Sequence, residues 1–422
     1  MSGFSFKVNS SQGQVRVGEL STPHGEILTP AFVPVGTQAT VKAVSIGDLQ
    51  KLKVQIVLAN TYHLYLRPGI ETIEHLGGLH KMMNWNGPMM TDSGGYQVFS
   101  LGWAIEHGVG KVVNFLADDS REEQELKRQV INNKPKSIIV RQKLCVVDDE
   151  KATFISHVDG SLHVWTPEKS IEIQKKLGAD LIFAMDECTS PVHDSEYTKK
   201  SMNRTHLWEE RSLMAFNKGR GKKEEGIGKE QAIYGIVQGG PFKDLREESA
   251  KFVANNSFFG NGIGGAMVSK SKMLEILDWI MPILPADRPN HLLGIGGIDD
   301  ILNTVGFGID TYDCAFPTRL ARRGGLLMLP EDGGKFLNRW TLNVTREEFK
   351  NDSSPVSKNC GCELCSGGYS KGYLRHLYWA KELLIFRLAT IHNLYVMEKL
   401  MTEIREGIAE NKLEKVKKKW FG

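Results

Sequence analysis

Eight short apolar runs separated by helix-patterned segments are the feature that most restricts what this chain can become. In order they read PAFVPVGT, VQIVLANTY, GPMMTDSGG, ADLIFAMDE, AIYGIVQGG, GNGIGGAM, NHLLGIGG and GIDTYDCAFP. Segments such as SIGDLQKL, PEKSIEIQKKLG, DLREESAKFVANN and GIDDILNTVGFG lie between several of them. Eight strands alternating with helices are the pattern of a parallel (β/α)8 barrel. The sixth run, rich in glycine, is the least strand-like. An open doubly wound sheet is the alternative, but no G-x-G-x-x-G opens a first βα unit.

What flanks the runs sets the domain plan. Residues 4–29 carry turn signals at Ser-Gln-Gly and Pro-His-Gly and read as antiparallel hairpins, a lid or base and not a barrel strand. After the third run, residues 104–150 are charged and weakly patterned, which predicts an insertion, helical or hairpin, across the barrel mouth. Residues 216–231 read as a loop. Beyond about residue 340 the alternation stops, and a cysteine cluster precedes one long amphipathic helix, roughly 372–408. The expected division is therefore a catalytic barrel over 1–340, hairpins and insertion included, and a helical metal-binding subdomain over 341–422.

Composition excludes some classes. The chain is 41% hydrophobic and 24% charged, ordinary for a soluble globular protein, and its longest apolar stretches are too short to span a bilayer. The N-terminus lacks the basic-then-apolar order of a signal peptide, so the cytoplasm is expected. A net charge of +3 permits nucleic-acid binding without arguing for it, and the basic runs NKGRGKK and KLEKVKKKW read equally as solvated faces. Six cysteines are too few for a disulfide scaffold, and three of them crowd into residues 360–365.

In a (β/α)8 barrel the reactive residues stand at the C-terminal strand ends. There the runs place Asn60; Asp92, Ser93 and the 94–95 glycine pair; Asp186, Glu187 and Cys188; Gln238 with the 239–240 pair; Gly264 and Gly265; and Asp313. A lone aspartate at a strand end is usually a helix cap. Carboxylates, amides and glycine pairs together on one rim suit a flat heterocycle with donors and acceptors around its edge, sandwiched by neighbours such as Tyr96 and Leu293. Asp313 is followed by Arg319 and Arg322, a carboxylate beside a site for a polyanion. Cys360, Cys362 and Cys365 form C-x-C-x2-C, three of the four ligands that tetrahedral zinc needs, and His376 and His392 compete for the fourth place.

TDSGGYQVFSL, HVDGSLHVWTPE, MDEC, YGIVQGG and GIDTYDCAFPTRLAR resemble, in order and spacing, the tRNA-guanine transglycosylases, most nearly the bacterial (queuine tRNA-ribosyltransferase) form, over about residues 20–408. The resemblance implies a pentosyltransferase that exchanges guanine at the anticodon wobble position of tRNA for a 7-deazaguanine base, in queuosine biosynthesis. It implies Asp313 as nucleophile, Asp92 as general acid/base, and Asn60 as the residue orienting Asp92. By the same likeness Asp186, Gln238, Gly264 and Gly265 read the base edge, with Ser93 and Cys188 in the same pocket. Tyr96 and Leu293 occupy stacking positions, and Arg319 and Arg322 contact the anticodon loop, where a guanine-uracil start is expected. It selects His392 as the fourth ligand of one structural zinc per chain, and it suggests a homodimer.

Two departures bear on the substrate. The 104–150 insertion is longer than the bacterial pattern. Where many bacterial relatives carry a glutamate near an aminomethyl group, this chain has Lys270, a cation that repels an ammonium, whereas Cys188 and Val268 resemble the bacterial small-pocket choice. The expected incoming base is 7-aminomethyl-7-deazaguanine (preQ1), with queuine salvage the rival. A non-catalytic tRNA-binding paralogue would lack the acids that this chain keeps. A zinc hydrolase would need a histidine cluster on the rim.

Overall fold

The structure is a computed structural model in which residues 3–99, 145–189, 193–218, 230–265 and 269–422 are described. Most of the expected 104–150 insertion, most of the 216–231 loop and residue Val268 lie outside them.

The first three strands, β1 (Ser5–Gln12), β2 (Val15–Thr22) and β3 (Gly25–Thr29), pair antiparallel in sequence order. β2 alternates half-buried and buried residues, the period of a strand with one covered face. All eight apolar runs become barrel strands. They are β4 (Ala31–Gly36), β5 (Val57–Ala59) and β6 (Met89–Thr91), then, after the three-stranded sheet of β7 (Cys145–Val147), β8 (Ala152–Ile155) and β9 (Leu162–Trp165), the five strands β10 (Leu181–Phe183), β11 (Ala232–Val237), β12 (Gly260–Ile263), β13 (Asn290–Leu292) and β14 (Thr311–Cys314). Their order, β10-β11-β12-β13-β14-β4-β5-β6, closes a barrel. Every residue of β10, β11, β12, β13 and β14 is buried, which is why these runs are continuous and not alternating. The glycine-rich sixth run pairs as β12 with β11 in parallel register, Tyr234 opposite Gly260 through Val237 opposite Ile263. Its glycines make room: a Cβ at Gly260 would lie 2.3 Å from the Tyr234 ring.

The chain groups into two compact units. One comprises Met1–Ala59, His80–Met90 and Pro289–Gly422. In it the N-terminal sheet is a base: Arg16 on β2 donates to Asp310 (Nε to Oδ1 3.0 Å), and Asp310 immediately precedes β14 at its N-terminal end. The other unit comprises Asn60–Leu79 and Thr91–Arg288 and holds the β7–β9 sheet. Its helices carry the expected signals. Pro167–Leu177 starts after Thr166, whose hydroxyl accepts from Lys169 N, and ends at Gly178 in the left-handed region.

The expected long C-terminal helix is two. Lys371–Trp379 and Leu383–Ala409 are separated at Ala380–Glu382, where Lys381 takes a φ of 59°. No proline or glycine marks the break. Ala-Lys-Glu is a strong helix former, so local propensity reads through a turn that packing imposes. No described helix is long and apolar enough to cross a membrane.

Candidate active site

In the unit built on β10–β12, two acid centres form. Asn60 follows β5 and caps the helix Thr61–Leu66, its Oδ1 accepting from His63 N at 2.9 Å. This leaves its amide nitrogen to donate to Asp92 Oδ2, while Thr61 N donates to Asp92 Oδ1 at 2.8 Å. Both carboxylate oxygens of Asp92 thus have fixed donors. The turn behind is held by Ser170 Oγ and Trp165 Nε1, which donate to Ser93 O at 2.7 and 3.3 Å. Sequence reasoning gave no role to Thr61, Trp165 or Ser170. A tryptophan closing HVW before a capped helix is, in hindsight, their only signal.

Asp186 sits three residues past β10. Gln238, one past β11, donates Nε2–H to Asp186 Oδ2 at 2.7 Å, and Ser93 Oγ donates to Oδ1 at 3.2 Å. Burial raises the Asp186 carboxyl to about 6, against the lowering effect of those two hydrogen bonds. Gln238 Oε1 is buried with no hydrogen-bond partner among the described residues. A bound N–H would satisfy it. Gly264 and Gly265 lie against this amide. A Cβ on either would come within 2.6 and 2.7 Å of Gln238 Nε2 and Oε1. The structure therefore brings together Ser93, Asp186, Gln238, Gly264 and Gly265 as expected. Cys188 follows closely in the chain, and burial pushes its thiol up to about 12, so it is no nucleophile at neutral pH. Tyr96 stands on the helical stretch after Gly94 and is 37% exposed.

In the other unit, Asp313 lies on β14 and is buried. Gly294 N donates to Asp313 Oδ1 at 2.6 Å, and His291 Nε2 lies 3.2 Å from the same oxygen. A carboxylate only accepts, so the histidine proton is on Nε2, and Nδ1 is left to accept the Thr311 hydroxyl at 2.8 Å. Oδ2 has no partner among the described residues. One oxygen is anchored and the other is free, a suitable state for a nucleophilic carboxylate. The neighbouring Cys314 thiol is raised to about 12 by burial. His291 is a site residue that the sequence reading missed. Its only signal was a polar side chain inside an apolar run. Leu293, half-buried, is in the turn just before Gly294. Arg319 is on the helix Phe316–Ala321 and Arg322 caps it, Nη1 donating to Thr318 O at 2.8 Å. Burial first, then the nearby cations Arg319 and Arg323, lower the Arg322 guanidinium from its ordinary value.

Cys360, Cys362, Cys365 and His392 are all buried and gather into one cluster able to hold a metal. Their sulfurs lie 3.6, 3.4 and 3.4 Å from His392 Nδ1. A tetrahedral zinc with bonds of about 2.3 Å to sulfur and 2.0–2.1 Å to nitrogen requires edges of about 3.5–3.6 Å. His392 Nε2 donates to Leu327 O at 2.6 Å, which fixes the tautomer that presents Nδ1. His376, the competitor, instead stacks beside Tyr373.

Comparison with known proteins agrees along the chain. The sequence model of the family described as Queuine tRNA-ribosyltransferase matches residues 11–130 and 130–422. A protein of Archaeoglobus fulgidus, provisionally carrying that name, is 46% identical over 418 residues, 99% of each chain. Queuine tRNA-ribosyltransferases of Roseiflexus sp. and of Caldanaerobacter subterraneus subsp. tengcongensis are 40% and 42% identical, covering 99% and 97% of this chain and 99% and 95% of theirs.

Proposed function

The chain belongs to the queuine tRNA-ribosyltransferase family, and from that premise we propose that it exchanges guanine at the tRNA wobble position for a 7-deazaguanine base through a covalent aspartyl-ribose intermediate. Asp313 Oδ2 attacks the ribose C1′ as the bond from C1′ to the guanine nitrogen breaks. Asp92, protonated, gives its proton to the departing base. The incoming base enters after guanine leaves. Its ring N–H passes the proton to Asp92, and its nitrogen displaces Asp313 from C1′. Two inversions retain the configuration, as in retaining glycosidases. Asp186, Gln238 and the Gly264–Gly265 backbone read the base edge, Ser93 and Cys188 line the same pocket, Tyr96 and Leu293 stack on the base, and Arg319 and Arg322 hold the anticodon loop. Pulling a base from a single-stranded loop costs a few kcal/mol, less than from a duplex.

The observation that carries this reading is the anchored Asp313, an aspartate on the last barrel strand with one oxygen held by two N–H donors and the other without a partner among the described residues. The test is exchange of labelled guanine into unmodified tRNA by the wild type and by Asp313→Asn. Exchange lost in the variant with tRNA binding retained supports the assignment. No exchange by a folded, metal-replete wild type sinks it in favour of a tRNA-binding paralogue.

The incoming base is preQ1 in this reading. Lys270, at the first turn of the helix Lys270–Ile280, opposes an ammonium substituent on the incoming base, and queuine salvage is the rival reading. Competition of both bases against labelled guanine decides, and exclusive use of queuine defeats the first choice. Cys360, Cys362, Cys365 and His392 hold one zinc. Four protein ligands close its shell, so it braces the proposed 341–422 subdomain and takes no part in base exchange. The enzyme is read as a cytoplasmic homodimer.

A further inference from the structure

Arg246 belongs to none of the roles above, yet it is the most completely buried cation in the base-reading unit among the described residues, with no exposed surface. It stands on the helix Lys243–Asn255 and has no carboxylate partner among the described residues. Its Nε donates to Gly240 O at 2.7 Å. Nη1 donates to Val237 O at 3.0 Å and Gly264 O at 2.7 Å, and Nη2 to Gly265 O at 2.9 Å. Four carbonyls from the ends of two adjacent strands, β11 and β12, are thus tied to one planar group. Burial is expensive enough to lower this guanidinium to about 10, and it stays charged at neutral pH. An apolar side chain would avoid that penalty but could donate to none of the four carbonyls.

What it holds are the two loops that present Gln238 and the Gly264–Gly265 peptide. In a trans peptide the N–H points opposite to the C=O. With the Gly264 carbonyl drawn to the guanidinium, the Gly265 N–H is turned to the other side and offered as a donor. The approach is close throughout: a Cβ at Gly239 would lie 2.8 Å from Arg246 N, and Gly265 has a φ of 58°, so neither loop has room to relax.

We propose that Arg246 is a positioning residue for base recognition, a fork that fixes the Gly265 N–H as a donor so that a base carrying a ring carbonyl is preferred over one without it. This rests on the base-exchange reading. The experiment measures competition of guanine and of 2-aminopurine, which lacks that carbonyl, against labelled-guanine exchange in the wild type, Arg246→Lys and Arg246→Met. Lysine keeps the charge without the planar fork. The expected result is that the preference for guanine narrows about tenfold in Arg246→Lys and further in Arg246→Met, with the loss falling on KM for the base more than on kcat. A selectivity ratio does not depend on the fraction of protein that is active, so a merely structural role leaves it unmoved. An unchanged ratio in both variants, or failure of both to fold, overturns the assignment. Absence of exchange in the wild type is a separate result that removes the functional reading, and this assignment with it.

Discussion

Asp186, in its proposed role at the base edge, sets stability against recognition at the level of one side chain. Its carboxyl is raised to about 6 by burial, so the folded state binds the proton more tightly than the unfolded chain does. Stability from this group is therefore greatest below pH 4 and falls as pH rises from about 4 to about 6, by roughly 3 kcal/mol in total. Asp186→Asn should raise stability at pH 8 by about 1–3 kcal/mol, read by denaturant unfolding, while raising KM for guanine about a hundredfold. Because only the ionised form accepts two base N–H groups, KM for the base in the wild type should climb about tenfold per pH unit below pH 6 and stay flat above it. A flat profile from pH 5 to 8 would remove Asp186 from the base edge. His291 acts on the other acid. Losing its donor to Asp313 should lower kcat by about ten- to a hundredfold with tRNA affinity kept, which single-turnover exchange by His291→Ala would test.

At the scale of elements, one helix finishes the work of a short strand. β10 stops at Phe183; Ala184 N still donates to Tyr234 O on β11 at 3.0 Å, and the residues after it need partners from elsewhere. The helix Ser195–Asn217 provides them. Ser212 Oγ accepts from Met185 N at 3.2 Å, Thr205 Oγ1 accepts from Glu187 N at 3.0 Å, and Ser201 Oγ donates to Glu187 O at 3.2 Å. Glu209 accepts from Ile236 N on β11, and burial holds its carboxyl well above the usual range. Arg204 pairs with Glu187 beneath the same loop. Asp186 is positioned by this set as much as by its own strand. Thr205→Val keeps the shape and leaves the Glu187 N–H unsatisfied. It should cost about 1–3 kcal/mol in unfolding free energy and raise KM for guanine. An unchanged KM would mean the loop holds Asp186 without the helix.

At the scale of the whole molecule, two ties join distant stretches of sequence. Arg16 and Asp310 are 294 residues apart and fully or nearly buried, and Thr29 Oγ1 and Asn290 N also donate to that carboxylate, at 3.5 and 2.7 Å. Arg16→Met would strand a buried carboxylate and should destabilise by about 3–5 kcal/mol in denaturant unfolding. The cysteine-histidine cluster is the other tie. Stripping the metal with a chelator should lower the melting midpoint by about 10 °C and lose base exchange only as the fold is lost. Metal content near zero in active protein would refute the zinc assignment.

The sequence by itself determined the eight strands, because a strand buried on both faces must be a short continuous apolar run, and it marked Asp92, Asp186 and Asp313 because polar residues directly after such runs fall at strand ends. It also identified the cysteine triplet, whose spacing is local. Tertiary structure decided what depends on partners far away along the chain. His392 rather than His376 meets the sulfurs because the helix Leu383–Ala409 turns that face inward. The C-terminal helix breaks at Lys381 although its local sequence favours continuing. The donors that hold the acids (His291, Thr61, Trp165, Ser170) and the guanidinium that clamps the glycine loops are ordinary residues in the sequence. They acquire their roles only when folding removes water from around them and leaves the carboxylates and carbonyls no donors but these neighbours.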